Sequence, residues 1–325
     1  WAIGAGMILP DSNPGHFGGS TGAFIAEADE YVTDPGHDMT PRFLWQNPEI
    51  AVVTNIDYDH PDAYGSLEDV KHAFVQFAKK SKTCIYNKDD MPSTVLSLLD
   101  PMIECISFGT AADAFFRLTN ISYHPGYSTL SVSMGGSPIG DFTVSVPGVH
   151  NALNFLSVLA ACWRFGMNIE RIREYSGSFT GTKRRSEIIQ NDPMIIDDYA
   201  HHPHEIRATL EGLANWYPGR RIIAVFQPHT YSRTKALLPD FSSSFTNASM
   251  VIIADIYASA RETDTLGITA GDLVTRITQN GKIARYGGTY DGVKKILHSI
   301  QKPGDIVVFM GAGDIYSWSR KYVSE

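Results

Sequence analysis

Two polar stretches in the second half of the chain hold an unusual density of ionisable side chains. One is Asp197-Asp198-Tyr199-Ala200-His201-His202-Pro203-His204-Glu205, and the other is Gln227-Pro228-His229-Thr230-Tyr231-Ser232-Arg233-Thr234. Each directly follows a short apolar run that is typical of a buried strand. Carboxylates and imidazoles gathered in this way can move protons, hold a metal ion or contact an anionic substrate. Ordinary structural loops use Gly, Asn and Ser instead, so packing does not explain the two stretches.

The first half of the chain contains two candidate clusters for metal binding. Glu27-Ala28-Asp29-Glu30 follows the apolar run 23–26, and carboxylates at the end of a strand are well placed as oxygen ligands of magnesium beside a phosphate. Asp59 and His60 follow the run 50–54 and can contribute to holding a metal. The structural alternatives are a solvated acidic turn for the first cluster and a hydrogen-bonding surface histidine for the second.

A third cluster in the first half is Gly148-Val149-His150-Asn151-Ala152-Leu153-Asn154, at the predicted start of a helix. Amide and imidazole groups of His150, Asn151 and Asn154 can contact the edges of a purine base, and the two asparagines share one helix face. N-capping is the structural alternative, and it accounts for one asparagine but not for the set.

Two turns complete the inventory of candidate residues. Lys183-Arg184-Arg185 can reach an anionic ligand, with a solvated basic turn as the alternative. Gly311-Ala312-Gly313-Asp314 is similar to a phosphate-binding loop. A lone glycine-rich turn is a weak signal, however, and we interpret this one as structural.

The elements that must position these residues follow a repeated strand–helix order. In the first part, buried strands are predicted at 23–26, 50–54 and 82–86, with a helix that begins at the capping sequence Ser66-Leu67-Glu68-Asp69. This order indicates a parallel sheet with right-handed crossovers. A small antiparallel patch is predicted next, because four strand-like segments follow without helical periodicity. They lie near 103–108, 114–123, 128–134 and 141–146.

The strand–helix order resumes at about residue 186 in five steps. The predicted strands lie near 194–197, 222–226, 250–254, 282–285 and 305–310. The helix after the second of them is predicted to carry Leu237, Phe241 and Phe245 on one face. This part is therefore predicted to be a Rossmann-like doubly wound domain, in which ligands bind beyond the carboxyl ends of the strands.

Composition excludes several classes of function. The 325 residues include 27 Lys and Arg against 35 Asp and Glu, which gives a net charge of −8, and the pI is near 5.8. A chain this acidic is a poor general nucleic-acid binder. No apolar run reaches the ~18 residues of a membrane span, so no membrane insertion is expected. Three widely spaced cysteines, Cys84, Cys105 and Cys162, indicate reduced thiols in a cytoplasmic protein.

Taken in chain order, these clusters resemble the Mur ligases, and the resemblance extends over essentially the whole chain. Glu27-Ala28-Asp29-Glu30, Thr54-Asn55-Ile56 with Asp59-His60, and Gly148-x-His150-Asn151-x-x-Asn154 are similar to the central ATPase domain of that family. Arg184-Arg185 and the two stretches that follow the strands at 194–197 and 222–226 are similar to its hinge and C-terminal domain. The two stretches are typical of the alanine-adding members.

The resemblance implies an α/β fold of two parts. Residues 1–184 would be the C-terminal portion of a P-loop-type central ATPase domain, with a parallel sheet and a small antiparallel patch. Residues 185–325 would be the doubly wound C-terminal domain. The implied activity is an ATP-dependent amide ligase of peptidoglycan precursor synthesis, which joins L-alanine to the lactyl carboxylate of UDP-N-acetylmuramate through an acyl phosphate.

The family pattern also implies a role for each cluster, with ATP and magnesium as the cofactors. Glu27 and His60 would hold magnesium. His150, Asn151 and Asn154 would contact the adenine end of ATP, Arg184 or Arg185 would face its phosphates, and Asp198 would face its ribose. Tyr199, His201, His229 and Arg233 would line the muramoyl and alanine side as the catalytic residues.

One departure from the family concerns the start of the chain. The phosphate-binding loop of the family, Gly-x-x-Gly-Lys-Thr-Thr, is not found in these 325 residues, nor is the N-terminal domain that binds UDP. The chain begins at Trp1 without an initiator methionine. We therefore expect an incomplete fragment, inactive alone, with the missing parts upstream of Trp1.

Three other functions remain open from the sequence. A ligase that recycles murein tripeptide is the nearest, although its C-terminal loop pattern differs from Gln227-Pro228-His229. A non-catalytic Mur-like paralogue that binds a nucleotide-sugar or a partner ligase is the second. The third is a metal-dependent hydrolase, because imidazole-rich sets suit zinc. Its ligands would be Asp197, Asp198, His201, His202, His204 and His229.

Overall fold

The computed structural model describes residues 22–58, 60, 63–258, 262 and 264–325, together with the backbone of strands β1 (Ala2–Ile8) and β2 (Asn13–His16). The predictions that rest on Trp1 and Asp59 lie outside the described residues. Strand β1 pairs antiparallel with β2 and parallel with the two-residue strand β3 (Ile25–Ala26). The strand predicted at 23–26 is present over Ile25–Ala26, but the prediction that it is buried is wrong, because Phe24 and Ile25 are 62% and 70% exposed.

A hairpin follows the acidic cluster. Strands β4 (Val32–Asp34) and β5 (Asp38–Pro41) pair antiparallel and lead into a 3-10 turn, Arg42–Trp45. Val32 and Phe43 are buried, and the Phe43 ring packs edge-on against Phe77. The hairpin is thereby fixed to the body of the first half.

The first half is built on one six-stranded sheet, ordered β11-β10-β9-β8-β7-β6. Its strands are β6 (Ile50–Val53), β7 (Thr83–Asn87), β8 (Glu104–Gly109), β9 (Phe116–His124), β10 (Tyr127–Met134) and β11 (Ser137–Val144). Helix α1 (Leu67–Ala78) joins β6 to β7, and the Ser66 hydroxyl caps it by accepting a bond from the Asp69 N–H. A 3-10 helix, Pro92–Leu98, joins β7 to β8. The predicted capping sequence is confirmed.

The predicted antiparallel patch needs one correction. The segment near 103–108, strand β8, pairs parallel with both β7 and β9. The antiparallel pairs of this sheet are β9 with β10 and β10 with β11. A full parallel crossover needs a dozen or more residues, but here six residues, 110–115, suffice. The reason is that β8 and β9 overlap only at Phe108 with Phe116 and Gly109 with Arg117. The patch is therefore a continuation of the parallel sheet.

Two helices cover one face of this sheet. They are α2 (Val149–Arg164) and α3 (Ile169–Tyr175). Leu156 and Leu159 of α2 are fully buried and belong to one core with Phe108, Phe116 and Phe142 of the sheet. This packing fixes the start of α2, where His150 lies, against the sheet.

The second half is a doubly wound six-stranded sheet, ordered β12-β13-β17-β14-β15-β16. Its strands are β12 (Glu187–Asn191), β13 (Met194–Asp198), β14 (Ile222–Phe226), β15 (Met250–Ala254), β16 (Ala284–Gly288) and β17 (Ile306–Met310). Its helices are α4 (Pro203–Trp216), α5 (Tyr231–Ala236), α6 (Leu238–Ser242), α7 (Ala270–Gln279), α8 (Tyr290–Ile300) and α9 (Ile315–Ser324). The five predicted strands are confirmed, whereas β12, the antiparallel edge strand, was not predicted.

Both faces of this sheet are covered, as alternation along the strands requires. Residues such as Ile196, Ala224 and Val308 face α4, α6 and α7, whereas Ile195 and Val307 face α8 and α9. The predicted helix with Leu237, Phe241 and Phe245 is wrong as one element. It is divided into α5 and α6, with Leu237 between them and Phe245 beyond.

The strand order places the two polar stretches beside each other. Strand β17 lies between β13 and β14 and pairs parallel with both. The loops that leave the carboxyl ends of β13, β17 and β14 therefore meet at one edge of the sheet. A reversal of strand order at such an edge forms the crevice in which ligands of open α/β sheets bind.

Helix α4 joins the two halves. The Trp216 indole N–H donates to the Ser128 hydroxyl of β10 at 2.8 Å, in a buried position. At Gly212 a Cβ atom would lie 2.8 Å from the Gly148 nitrogen. Glycine at 212 is thus required for the close approach of α4 to the loop that begins α2.

Candidate active site

Asp198, the last residue of β13, is buried and holds the turn between the two halves. Its Oδ2 accepts bonds from the Ser186 N–H and hydroxyl at 2.7 and 3.0 Å. Its Oδ1 accepts from the Ala200 N–H at 2.8 Å and the Thr209 hydroxyl at 3.3 Å. Burial raises the pKa of Asp198, although these donors and Arg185 oppose the shift. Its contact with ribose stays a prediction.

Arg184 is directed into the second half of the protein. Its guanidinium donates to the Gly311 carbonyl at 2.8 Å and lies between the rings of Tyr199 and Tyr316, with Cζ 4.6 and 4.7 Å from their centroids. The Gly311–Asp314 turn thus packs against protein groups. At Gly311, whose φ is 148°, a Cβ would lie 2.7 Å from the Gln227 carbonyl oxygen.

Arg185 has the opposite orientation and faces the cleft between the two halves. Its Nη1 lies 3.6 Å from Oε1 of Glu205, and its side chain is 58% exposed. Its charge acts on groups from both halves, since it opposes the rise in the pKa values of Glu27 and Asp198 and, after burial, contributes to the lowered pKa of His150. The contact of Arg184 or Arg185 with the phosphates of ATP stays a prediction.

His201 is oriented by Glu205. Oε2 of Glu205 accepts the His201 and His202 backbone N–H groups at 2.9 and 3.1 Å and lies 3.2 Å from His201 Nδ1. The His202 side chain completes a capping box at the start of α4. Burial would raise the pKa of Glu205, but His201, these N–H groups and Arg185 lower it overall. An ionised carboxylate therefore fixes the His201 ring.

His229 follows β14 and faces His201 across the crevice. Their ring centroids are 6.2 Å apart, and the Tyr257 ring stacks on His229 at 5.7 Å with an interplanar angle of 14°. Burial, and then the charges of His201 and Arg233, lower the pKa of His229. Because an unperturbed histidine titrates near 6.5, His229 is neutral at pH 7. The structure thus brings Tyr199, His201, His229 and Arg233 to one edge of the sheet.

Tyr257 and Glu262 also belong to this edge and were missed in the sequence. The Thr230 N–H donates to the Tyr257 carbonyl at 2.9 Å, and the Tyr257 N–H donates to the Pro228 carbonyl at 2.8 Å. Glu262 accepts bonds from the Tyr231 and Ser232 backbone N–H groups at 2.5 and 3.2 Å. The signal was present, because both residues follow a predicted strand, β15, as the two polar stretches follow theirs.

The cluster that is predicted to contact adenine, His150, Asn151 and Asn154, lies at the start of α2. The N-cap residue is Gly148, at φ 95°, so neither asparagine has the capping role considered from the sequence. Asn151 instead donates to the Pro147 carbonyl at 2.7 Å, and the Asn154 amide lies 3.4 Å from Asn151 Oδ1. The His150 side chain is exposed to solvent, but many protein atoms surround its imidazole. The resulting loss of hydration, followed by the charge of Arg185, lowers the pKa of His150.

The acidic cluster after β3 divides into three carboxylates with different surroundings. Asp29 pairs with Arg42 at 2.6 Å, and Glu30 lies 3.3 Å from His60 Nε2. Glu27 is exposed, and its carboxylate has no hydrogen bond or ion pair within the described residues. Burial, Asp29 and Glu30 raise the pKa of Glu27, whereas Arg185 opposes this.

These surroundings fit a magnesium ion at Glu27. Magnesium is bound by oxygen ligands, usually by one or two carboxylates together with phosphates, and a cation would relieve the repulsion from Asp29 and Glu30. In this structure His60 contacts Glu30 and not Glu27. The joint role of Glu27 and His60 stays a prediction.

The alternative of a transition-metal hydrolase has no support in the geometry. Across the described ranges, no three His, Cys, Asp or Glu side chains come together in a way that could hold a metal ion. Asp198 is occupied by four protein donors, and His202 caps α4.

Across the described residues, no helix is long and apolar enough to span a bilayer.

Comparison with known proteins gives matches to both halves. The family model of the Mur ligase middle domain matches residues 27–162, and that of the Mur ligase glutamate ligase domain matches residues 184–313. The first range includes Glu27, His60, His150, Asn151 and Asn154, and the second includes Arg184, Arg185, Asp198, Tyr199, His201, His229 and Arg233.

Curated relatives and solved structures agree with these matches. The chain is 39% identical over 327 residues to a UDP-N-acetylmuramate–L-alanine ligase of Desulfitobacterium hafniense, covering 99% of this chain and 70% of the relative. It is 40% identical over 314 residues to the same-named ligase of Caldanaerobacter subterraneus, with 94% and 66% covered. A crystal structure of UDP-N-acetylmuramate-alanine ligase from Thermotoga maritima aligns with a TM-score of 0.74 at 25% identity, covering 92% and 62%. The chain thus spans about two thirds of the length of these proteins.

Proposed function

Because the chain belongs to the Mur ligase family, we propose that the protein is an ATP-dependent ligase that joins L-alanine to UDP-N-acetylmuramate. Relatives with that name are about 39% identical over most of the chain. The structural observation that supports the proposal is the position of Arg185, which lies at the turn between the two halves with its side chain 58% exposed and its Nη1 3.6 Å from Oε1 of Glu205. Its charge also acts on Glu27 and His150 of the first half.

The reaction has two bond-forming steps. The lactyl carboxylate oxygen attacks the γ-phosphorus of ATP, the bond to ADP breaks, and an acyl phosphate forms. The neutral amine of L-alanine then attacks the acyl carbon, the bond to phosphate breaks, and the amine loses a proton. Negative charge builds up on the phosphoryl group in the first step, so cationic groups must surround it.

We assign the phosphate contact to Arg185 rather than to Arg184. Arg185 is exposed in the cleft, whereas Arg184 already donates to the Gly311 carbonyl and is stacked between two tyrosines. The start of α2, with His150, Asn151 and Asn154, would receive the adenine end. Asp198 would contribute to the ribose side, although in this structure it holds the turn at Ser186.

Magnesium would be held by Glu27, with His60 nearby, and would supply charge neutralisation on the phosphoryl oxygens. This chain provides the Glu27 carboxylate and leaves it open to a metal ion. Arg42 neutralises Asp29, and His60 binds Glu30, so both neighbouring carboxylates are occupied.

The muramoyl and alanine side is assigned to the edge formed by Tyr199, His201, His229 and Arg233, with Tyr257 added. Arg233 supplies positive charge for a carboxylate. His229, which is neutral at pH 7, can accept a hydrogen bond from an amine.

The domain assignment is part of the proposal. Residues 1–184 would belong to the central ATPase domain and residues 185–325 to the C-terminal domain, with Arg184 and Arg185 at the junction. The protein would act in the cytoplasm, since it consumes ATP, and its three free thiols are consistent with a reducing compartment. Its product would be a precursor of peptidoglycan.

The test uses the complete product of the gene that encodes this chain. Phosphate release from ATP is measured with UDP-N-acetylmuramate alone, with L-alanine alone and with both. Release only when both are present is the expected result. Release that ignores L-alanine would contradict the proposal, and release that requires a tripeptide in its place would favour the recycling ligase. Binding of UDP-N-acetylmuramate without any turnover would favour the non-catalytic paralogue.

A further inference from the structure

Thr230 has a backbone conformation that a threonine rarely adopts. Its φ is 66° and its ψ is 143°, and a β-branched residue at positive φ is an outlier that persists only where surrounding contacts hold it. Thr230 lies between His229, which faces His201 across the crevice, and the first turn of α5, which contains Arg233. The conformation at Thr230 therefore determines where Arg233 lies relative to His229.

The segment that follows β15 fixes the chain up to Thr230. The Tyr257 N–H donates to the Pro228 carbonyl at 2.8 Å, and the Thr230 N–H donates to the Tyr257 carbonyl at 2.9 Å. These bonds form an isolated parallel bridge between His229 and Tyr257, whose rings are also stacked. The bonds of the bridge end at Thr230, so the first turn of α5 needs a separate restraint.

Glu262, later in the chain, supplies that restraint. Its Oε2 accepts a bond from the Tyr231 N–H at 2.5 Å, and its Oε1 accepts bonds from the Ser232 N–H at 3.2 Å and from the Ser232 hydroxyl. Neither backbone N–H has another acceptor in the described part of the chain. The next N–H, that of Arg233, donates to the Thr230 hydroxyl at 3.4 Å. Glu262 thus provides the acceptors that the first N–H groups of a helix lack.

Both oxygens of the Glu262 carboxylate are occupied by the protein. Burial would raise the pKa of Glu262, but the bonds from Ser232 and Tyr231 and the charge of His229 lower it overall. Glu262 is therefore ionised at neutral pH and accepts at both oxygens, whereas an amide would present a donor at one of the two positions. A substrate ammonium group would have to displace the donors already bound, so we assign it no contact with Glu262.

We propose that Glu262 is a positioning residue that holds the first turn of α5 against the strain at Thr230. It thereby places Arg233 at the edge of the crevice, where Tyr257 has fixed His229. The proposal rests on the proposed function, which assigns Arg233 to a substrate carboxylate. Without Glu262, the backbone at Thr230 would relax to a negative φ, and Arg233 would move away from His229.

The test compares Glu262→Gln with the wild type in the complete gene product. Crystal structures of both proteins give φ at Thr230 and the position of the Arg233 guanidinium relative to the His229 ring. We expect a negative φ and a displaced guanidinium in the variant. We also expect kcat/KM for L-alanine to fall by about tenfold or more, because small misplacements of a site group are costly, while the KM for ATP and Tm change little. An unchanged position of Arg233, or an unchanged kcat/KM, would overturn the proposal.

A second variant separates the strain from other effects of Glu262. Thr230→Gly removes the strain, since glycine adopts a positive φ without a steric cost. In the Thr230→Gly background, Glu262→Gln should therefore lower kcat/KM by a clearly smaller factor than in the wild type. Equal losses in the two backgrounds would show that Glu262 does not act through the conformation at Thr230, and the proposal would be wrong.

Two further proteins keep the test decisive. Glu262→Asp retains the charge but draws both oxygens back by one methylene, so it should also displace Arg233. If it does not, the proposal is wrong even when Glu262→Gln fails to fold. Glu174→Gln, at an exposed position of α3, is the matched control and should change nothing. If the wild type is not a ligase, the proposed function fails, whereas the crystal structures still test the hold of Glu262 on Arg233.

Discussion

The Nη1 atom of Arg185 lies 3.6 Å from Oε1 of Glu205 in the cleft, whereas Arg184, one residue earlier, donates to the Gly311 carbonyl on the other side of the turn. The two adjacent arginines thus contact different groups of the protein. The backbone at Arg184 has a φ of 62°, which is uncommon for a residue with a side chain. Both guanidinium groups lie over the Tyr199 ring, with Cζ 4.6 and 5.3 Å from its centroid, but the side chain of Arg185 is 58% exposed and can meet a ligand.

Arg185→Gln should lower kcat by about 10²–10³-fold, the usual cost of removing one preorganised group that stabilises transition-state charge. The affinity for a non-hydrolysable ATP analogue should fall more than that for ADP, because the lost contact is with the γ-phosphate. Calorimetry of both nucleotides with the complete protein measures this difference. Arg285→Gln, at an exposed position of β16, is the control for loss of one positive charge. Equal losses for ATP analogue and ADP would contradict the assignment.

Glu27→Gln should raise the magnesium concentration needed for half-maximal phosphate release by tenfold or more, since it removes the one carboxylate of its cluster that lacks a partner in the described structure. Asp29→Asn should have a clearly smaller effect, because Asp29 is already paired with Arg42. Titration of the rate with magnesium at saturating ATP makes the comparison. The assignment of Glu27 fails if Asp29→Asn has the larger effect.

Gly212→Ala should separate the two halves of the protein. In a helix, alanine is more stable than glycine by about 1 kcal/mol. Here, however, the alanine Cβ would lie 2.8 Å from the Gly148 nitrogen, so the contact between α4 and the loop that begins α2 is either lost or strained. We expect a lower Tm, a larger radius of gyration by X-ray scattering and weaker nucleotide binding at His150. Gly271→Ala in α7, where the nearest atom to a Cβ is 3.4 Å away, should be neutral or stabilising. Equal behaviour of the two variants would contradict the role of this contact.

Asp197→Asn should raise stability at neutral pH and not at acid pH. Burial raises the pKa of Asp197 from 3.8 to about 6, against the opposing charges of Arg184 and Arg320. The folded state therefore binds this proton more tightly than the unfolded state, and the ionised group destabilises the fold increasingly as pH rises from about 4 to 6. Two units correspond to about 3 kcal/mol. Urea unfolding of both proteins at pH 4.5 and 7.5 should show an advantage for the variant that grows with pH. An advantage that is constant with pH would contradict a raised pKa.

The strands of the second half were predictable because they are buried on both faces. Ile222–Phe226 and Ile306–Met310 are continuous apolar runs, as parallel strands between two helical layers must be. The same rule missed β12, since Glu187–Asn191 is a half-exposed edge strand with charged and amide residues. Chain order also gave no indication that β17 lies between β13 and β14, because strand order is a property of tertiary packing.

The candidate site was predictable by residue type but not by orientation. The polar stretches after β13 and β14 were found, whereas the different orientations of Arg184 and Arg185 depend on a backbone conformation that no sequence pattern showed. The division of Glu27, Asp29 and Glu30 into one open and two paired carboxylates depends on Arg42 and His60, which reach the cluster only in the folded protein. Contacts over long separations in the chain, such as Trp216 with Ser128, were likewise outside the reach of local patterns.

The two ends of helix α4 contact different halves of the molecule. Its first turn, capped by His202, belongs to the crevice, and its last residue, Trp216, is held by Ser128 of the other sheet. Fourteen residues span about 21 Å, so one helix carries both a residue of the crevice and the contact with the other sheet. The relative position of the two halves therefore depends in part on Gly212 and Trp216, residues to which no contact with a substrate is assigned.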